Sequence, residues 1–488
     1  MTATTSSSTP SPSATAAPTV VPVGALYCQR HPFDRTLSTI IVSVEPHPKD
    51  ASIAFVTTAD TVLFPLGGGQ PADRGTLTVH ASNSSAAQEP LIFQVTDVQR
   101  RGTTAIHTIQ ANNVSSLSSS SLVDMLQPGT QVQLAVDWPR RWDAMQQHSG
   151  QHLLSAVAEQ LFGWRTASWA FGSRDEAGGG WSSVEFAPDF SPTAVPVTLE
   201  RVRELEDKVA EYIEQGLVIS VTSTADSDSD SGSAGPTQPT RTSAKALPTD
   251  LAQAAVPIRT VHIHTHDKSL TLDANPCCGT HVGSTAQLGT VLLRPAIERV
   301  RGTNARVYFT FGSARVRAIA GESLAREIKL GSVMSCGPKE FDDKITKLVD
   351  VGKADRKRGK ALVDALAFAL VKSHLSESSG NTRYHATTDD VGVDIDMDLL
   401  LAMATALKLQ QVARVYTLSG VFAGDTLGIV LVGPVGQEMN DKIAQVTSTV
   451  EGMRGGGGKG KPGTVSVWQG RLSPVSKQVL DKVKELFA

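Results

Sequence analysis

Residues 146–157 read QQHSGQHLLSAV, and this stretch sets the frame for what surrounds it. Leu153, Val157 and, just beyond, Leu161 recur at helical spacing, which predicts a helix from Trp142 to Phe162. His148 and His152 stand at i and i+4, on one face and one turn apart. Two imidazoles so placed can share one ion. They also fit two polar residues on a solvated helix face. Gly150 between them lowers helix propensity, which predicts that another backbone or a ligand comes close.

Farther along, NPCCGTHVG (275–283) repeats the spacing with Cys277 and His281. Pro276 and Gly279 place this second pair in a turn. Three imidazoles and a thiolate are soft to borderline donors in tetrahedral number, a set that favours Zn2+ over magnesium or calcium. A rival lies at His262, His264 and His266, which strand alternation would put on one face. They suit either the metal site of an unrelated metallo-hydrolase or a strand whose histidines face water, and no acidic ligands follow them at familiar spacing.

Working outward, the region 25–139 reads as β-rich and barrel-like. Thr36–Ser43, Ala54–Thr58 and Gln131–Val136 are strand-like, and FPLGGGQPADRG (64–75) interrupts them. Polar runs at 81–89 and 112–122 read as loop insertions, and residues 1–24 as a disordered tail. The region 140–312 adds a charged helix at Leu199–Gln215 and strands near 256–264, 291 and 307–311. Its Ser-Asp-rich stretch 222–250 is too polar to fold and is expected to be disordered. A helical arm and linker occupy 313–390, as two antiparallel helices or one arm broken near Gly352. The last region, 391–488, reads as a small α/β domain. It has a strand at Leu427–Val432, a helix at Gln437–Met453, a glycine tract at Gly455–Gly458 and a strand at Thr464–Trp468. The expected fold class is multidomain α+β.

The 488 residues carry a net charge of -3, which excludes a generic polycation for nucleic acid. Basic residues are local instead: Arg294, Arg299, Arg301, Arg306, Arg315 and Arg317, and then Arg454, Lys459, Lys461 and Arg471. Backbone amides of a glycine-rich loop beside lysines can meet phosphates, and such a tract can equally be a linker. Four cysteines in so long a chain read as reduced and intracellular. No apolar run is long enough for a membrane span, and no secretory or transit signal is evident, so the expected location is the cytoplasm.

HSGQHLLSA (148–156) and CCGTHV (277–282), preceded by FPLGGGQPADRG, resemble the AlaX-type alanyl-tRNA editing proteins. These are stand-alone relatives of the editing domain shared by alanyl- and threonyl-tRNA synthetases. The resemblance spans roughly residues 25–313, with a weaker match to the end. It implies one zinc ion per chain on His148, His152, Cys277 and His281. It also implies hydrolysis of mischarged tRNA(Ala), chiefly Ser-tRNA(Ala) and also Gly-tRNA(Ala). Gly67, Gly68, Gly69 and Gln70 match the family's pocket motif, and Thr166 and Ser168 of TASW (166–169) fall where the family has a polar pocket wall. Arg299, Arg301, Arg454, Lys459 and Lys461 are the tRNA-binding candidates. No adenylation domain is visible, so tRNA charging is not expected. Four protein ligands fill a tetrahedral shell, as in structural sites. The alternative is therefore a non-catalytic tRNA-binding or adaptor protein with a structural zinc.

Overall fold

The computed structural model describes residues 19–79, 90–111, 122–173, 180–188, 193–224, 256–377, 383–386, 395–422 and 426–487. Of the stretch 222–250 expected to be disordered, Thr222 and Ser223 end a strand and 225–250 lies outside the described residues; the loop 81–89 also lies outside them, as does 112–121, while Leu122, expected in that loop, opens a short helix and is buried. The chain forms two compact units, Met1–Arg326 and Glu327–Ala488.

In the first unit, β1 (Thr36–Pro46), β2 (Ile53–Thr58), β3 (Gly75–Val79), β4 (Leu91–Arg101), β5 (Thr104–Gln110) and β6 (Gln131–Val136) close into a barrel in the order β1-β2-β5-β4-β3-β6. Alternation drives the closure: Ile41, Val56, Leu77, Val95, Ile109 and Leu134 point inward and are fully or almost fully buried. Residues 19–24, which the sequence assigned to the tail, are held on this barrel. Val21 N–H donates to Ala59 O at 2.8 Å and Val23 N–H to Thr103 O at 2.7 Å, and Val23 is buried.

Helix α1 runs Trp138–Phe162, four residues longer at its start than the apolar spacing indicated. Asp137 caps it by accepting from Arg140 N–H, Pro139 fits the first turn where no N–H is needed, and Gly163 at φ 67 ends it. Leu153, Leu154 and Val157 are fully buried, each worth about 1.5–3 kcal/mol over exposure, whereas Leu161 stays exposed near the end. A buried ion pair ties the helix start to the barrel. Arg141 Nε donates to Asp73 Oδ2 at 2.8 Å, and its Nη2 donates to Val62 O at 2.6 Å.

Around α1 stand two antiparallel sheets. One has the order β12-β13-β8-β7, from β7 (Arg165–Ala170), β8 (Ser182–Ala187), β12 (Val291–Arg299) and β13 (Ala305–Phe311). The other has the order β11-β10-β9, from β9 (Val218–Ser223), β10 (Arg259–His264) and β11 (Thr271–Pro276). Helix α2 (Leu199–Gln215) buries Val202, Leu205, Val209, Tyr212 and Ile213, one apolar stripe, in the same core.

Helix α3 (Ser313–Met334) passes from the first unit into the second. In the second unit α4 (Phe341–Glu377) follows a break at Ser335, with φ 52, and the turn Pro338–Glu340. Gly352, expected near the break, lies inside α4: proline and a left-handed residue interrupt the helix where an isolated glycine does not. Helix α5 (Met397–Leu409) packs on α4 through Leu400, Met403, Ala367 and Val371. The sheet order is β14-β15-β16-β18-β17, from β14 (Arg383–Ala386), β15 (Tyr416–Phe422), β16 (Thr426–Pro434), β17 (Arg454–Gly457) and β18 (Val465–Leu472). Strand β14 lies in the stretch expected to be arm and linker, yet it pairs parallel with β15. Helices α6 (Gln437–Thr449) and α7 (Lys477–Phe487) complete this unit. Among the described residues no helix is long and apolar enough to cross a membrane.

Candidate metal centre and substrate site

Helix α1 brings His148 and His152 into the first unit's interior, and the turn after β11 brings Cys277 and His281 to meet them. One ligand atom from each of the four lies within 4.8 Å of every other, and among the described residues this is the one such cluster. Cys277 Sγ is 3.3 Å from His148 Nε2 and 3.4 Å from His281 Nε2. The Gly279 N–H points at the same sulfur from 3.4 Å, a donor that favours the thiolate.

The far side of each ring decides which nitrogen faces inward. Gln70 Oε1 can only accept, so His148 Nδ1, 3.0 Å away, carries the proton. Asp273 Oδ2 holds His152 Nδ1 at 2.9 Å, and Ser149 Oγ holds His281 Nδ1 at 3.1 Å. With Nδ1 occupied, Nε2 is the nitrogen left to bind an ion. Burial, and after it the neighbouring imidazoles and Arg259, holds both His148 and His281 well below the usual imidazole range, so both are neutral and carry a lone pair.

The backbone is shaped for this convergence. A Cβ on Gly279 would stand 2.2 Å from His148 Cε1. Gly68 and Gly69, at φ +61 and +83, let the Gly67–Gln70 loop close on itself, with Gly67 N–H to Gln70 O at 3.2 Å and Gln70 N–H to Gly67 O at 3.0 Å. The loop delivers Gln70 from the barrel into the cluster's wall. Its side chain is fully buried, accepting from Thr280 N–H at 3.0 Å and donating to Thr280 Oγ1 at 2.8 Å besides holding His148. Arg259 fixes the turn from behind, donating to Gly279 O at 2.8 Å and to Gln29 O at 2.9 Å. Gly150 does admit a close neighbour. The neighbour is the Phe311 ring, 2.2 Å from a hypothetical Cβ, rather than a backbone or a ligand.

Beside the cluster, the Trp169 indole lies 5.1 Å from His148 between ring centroids and fills the space over Gly69. Thr166 Oγ1 donates to Ser155 Oγ at 2.7 Å, one turn along α1 from His152. Ser168 Oγ donates to Glu185 Oε2 at 3.2 Å. The rival histidines take another course. His262 Nε2 bonds Thr222 Oγ1 and His264 Nε2 bonds Ser220 Oγ, each at 3.0 Å, within the sheet.

No model of a protein family matches the chain. Individual relatives do. The chain is 33% identical to the alanyl-tRNA editing protein Aarsd1 of Bos taurus over 359 residues, 72% of this chain and 68% of the relative. The chain belongs to the alanyl-tRNA editing protein family, AlaX/Aarsd1. A Saccharomyces cerevisiae protein named putative alanyl-tRNA editing protein alaX is 29% identical over 470 residues, 94% of this chain and 95% of the relative. An alanine–tRNA ligase from Pyrobaculum neutrophilum is 24% identical over 421 residues, 83% of this chain and 39% of the ligase.

The basic candidates of this family member divide. Arg299 and Arg301 are exposed at the end of β12 and in the turn to β13. Arg315 is buried against Asp143, at 2.6 Å from Nε to Oδ1, and so serves the core. Arg306 pairs with Glu298 at 3.2 Å. In the second unit Arg454, Lys459 and Lys461 are exposed; Gly455–Gly457 belong to β17, pairing with β18, and Gly458 and Gly460 lie beyond its end. A Cβ on Gly455 would stand 2.3 Å from the Trp468 ring, so close packing against an indole is what glycine serves there. Spacing alone missed Ser149, Asp273 and Trp169. The alternation D-x-N-x-C (273–277) held the signal for Asp273, since residues two apart on a strand face one way.

Proposed function

We propose that this chain is a trans-editing hydrolase that cleaves the aminoacyl ester of mischarged tRNA(Ala), chiefly Ser-tRNA(Ala) and also Gly-tRNA(Ala), with Zn2+ held by His148, His152, Cys277 and His281. The observation that carries this reading is the convergence of three inward Nε2 atoms and one sulfur in a member of an alanyl-tRNA editing family. The donor set fits zinc: three imidazoles, of which Gln70 fixes the tautomer of His148, and a thiol whose ionised form a backbone N–H supports. Zinc bound there supplies a Lewis acid that polarises a carbonyl or lowers the pKa of a water.

The chain's own groups supply selectivity. Thr166 presents a hydroxyl from β7 to Ser155, one turn along α1 from His152, able to exchange that partner for the serine hydroxyl, and Ser168, bonded to Glu185, is the second candidate. An alanyl group has no hydroxyl to draw them from those partners, so only the serine ester gains the bond. Gly67, Gly68 and Gly69 admit Trp169 and Cys278 to the pocket wall, and Gln70 orients His148. Arg299, Arg301, Arg454, Lys459 and Lys461 meet tRNA phosphates, so binding weakens as salt rises. The cysteines are free, which suits the reducing cytoplasm, and we assign the activity there.

Full occupation of a tetrahedral shell favours the second reading, a tRNA-binding adaptor with structural zinc. Deacylation separates the two. Purified zinc-loaded protein should release serine from Ser-tRNA(Ala) and leave Ala-tRNA(Ala) charged. Zinc-loaded protein that binds tRNA and leaves both esters intact overturns the hydrolase in favour of the adaptor.

A further inference from the structure

We infer that Asp273 is a positioning residue that makes His152 the anchor of the metal site, so that a charge outside the ligand set governs how tightly the ion is held. This rests on the reading that the cluster binds zinc.

The three imidazoles are oriented by partners of different strength. Gln70 Oε1 offers His148 a neutral amide carbonyl and divides its capacity with Thr280 N–H at 3.0 Å. Ser149 Oγ offers His281 a hydroxyl that already accepts from Val282 N–H at 3.1 Å. Asp273 meets His152 with a carboxylate, at 2.9 Å, and both residues are buried. A hydrogen bond to an ionised acceptor is roughly twice as strong as one between neutral groups, and it makes the opposite nitrogen a better donor to a metal.

Asp273 is itself held. Asn275 Nδ2 donates to its other oxygen, and both side chains stand on the face of β11 that leads to Cys277. Asn275 Oδ1 is buried with no hydrogen-bond partner among the described residues. The fold thus leaves one amide carbonyl unsatisfied to keep the carboxylate in place, an arrangement that a merely space-filling aspartate would not require. A wholly buried carboxylate needs compensating donors, and the His152 ring N–H and the Asn275 amide are two of them.

Asp273→Asn tests this in the full-length chain, because asparagine can still accept from His152 Nδ1 while the charge is gone. Zinc affinity, read by chelator competition, should fall about 10- to 100-fold. Ser149→Ala should change it by no more than about threefold, since the bond it removes is between neutral groups. The absorption bands of Co2+-loaded protein should shift in Asp273→Asn and hold their position in Ser149→Ala. Equal affinities in Asp273→Asn and wild type overturn the inference, as does a loss in Ser149→Ala as large as that in Asp273→Asn. If Asp273→Asn does not fold, Asn275→Ser carries the test: it frees one carboxylate oxygen, and unchanged zinc affinity overturns the inference. Failure of wild type to bind zinc stoichiometrically is a separate result and removes the metal reading itself.

Discussion

Two sets of histidines in this chain make an instructive pair. His262 and His264 sit two apart on β10 and look as ready for a metal as His148 and His152 do one helical turn apart. They differ in which nitrogen the protein already uses. On β10 the Nε2 atoms are spent on hydroxyls of β9, and His264 also bonds Thr265 O through Nδ1 at 2.7 Å. In the cluster the Nδ1 atoms are spent and the Nε2 atoms converge. Histidine spacing thus announces a possible site, and the partner on the back of the ring decides it.

The sharpest way to break this comparison is to remove a ring from each set. His148→Ala should abolish stoichiometric zinc by metal analysis and lower deacylation of Ser-tRNA(Ala) by about 10³-fold or more, as loss of a ligand from a metal that supplies the chemistry would. His264→Ala should leave both within about twofold. Retained zinc in the first variant, or lost zinc in the second, would reverse the assignment.

A subtler break leaves every ring in place. Gly279→Ala drives a methyl into His148 Cε1, so zinc affinity should drop at least tenfold, with about 1–3 kcal/mol lost in urea unfolding. Gly150→Ala meets Phe311 instead, on a residue adjacent to neither metal-binding atom. It should cost a similar 1–3 kcal/mol, largely restored by adding Phe311→Leu, with zinc still bound. Zinc lost in Gly150→Ala and kept in Gly279→Ala would show that the clash geometry has been misjudged.

The comparison also extends to pH through His107, a buried barrel histidine that spends both nitrogens. One bonds Val56 O at 3.0 Å and the other Thr61 Oγ1 at 2.8 Å. Burial lowers it from 6.5 to about 4. The unfolded chain takes up a proton below 6.5 that the folded chain refuses until about 4, so its stabilising effect is lost as pH falls through that window. The loss amounts to on the order of 3 kcal/mol at its fullest. Urea unfolding of wild type and His107→Gln should converge as pH drops from 7 to 5, and parallel pH dependence would exclude this source.

Much of this was legible in the sequence. Apolar spacing located α1, charge-rich composition α2, strand-like composition β1 and β2, and alternation β6. The four ligand candidates are brought together. What spacing could not show depends on partners far away along the chain. Strands β3, β4, β5 and β11 carry little pattern by themselves and exist because neighbours pair with them. Gln70 sits 78 residues from the ring it orients, and Asp273 sits 121 from its own. In the glycine tract at 455–458 the close approach of the Trp468 ring to Gly455 was hidden for the same reason.

The reach of Gln70 from the barrel into the wall around His148 has a bearing on how this protein can be dissected. A fragment cut just ahead of α1 would retain each of the four ligand side chains and still lack the carbonyl that sets the His148 tautomer. It would also expose Arg141, stripped of Asp73, at its new N-terminal edge. An inventory of ligands is therefore a poor guide to the minimal working piece: the smallest unit that preserves the centre begins upstream, with the strands that carry the glycine loop.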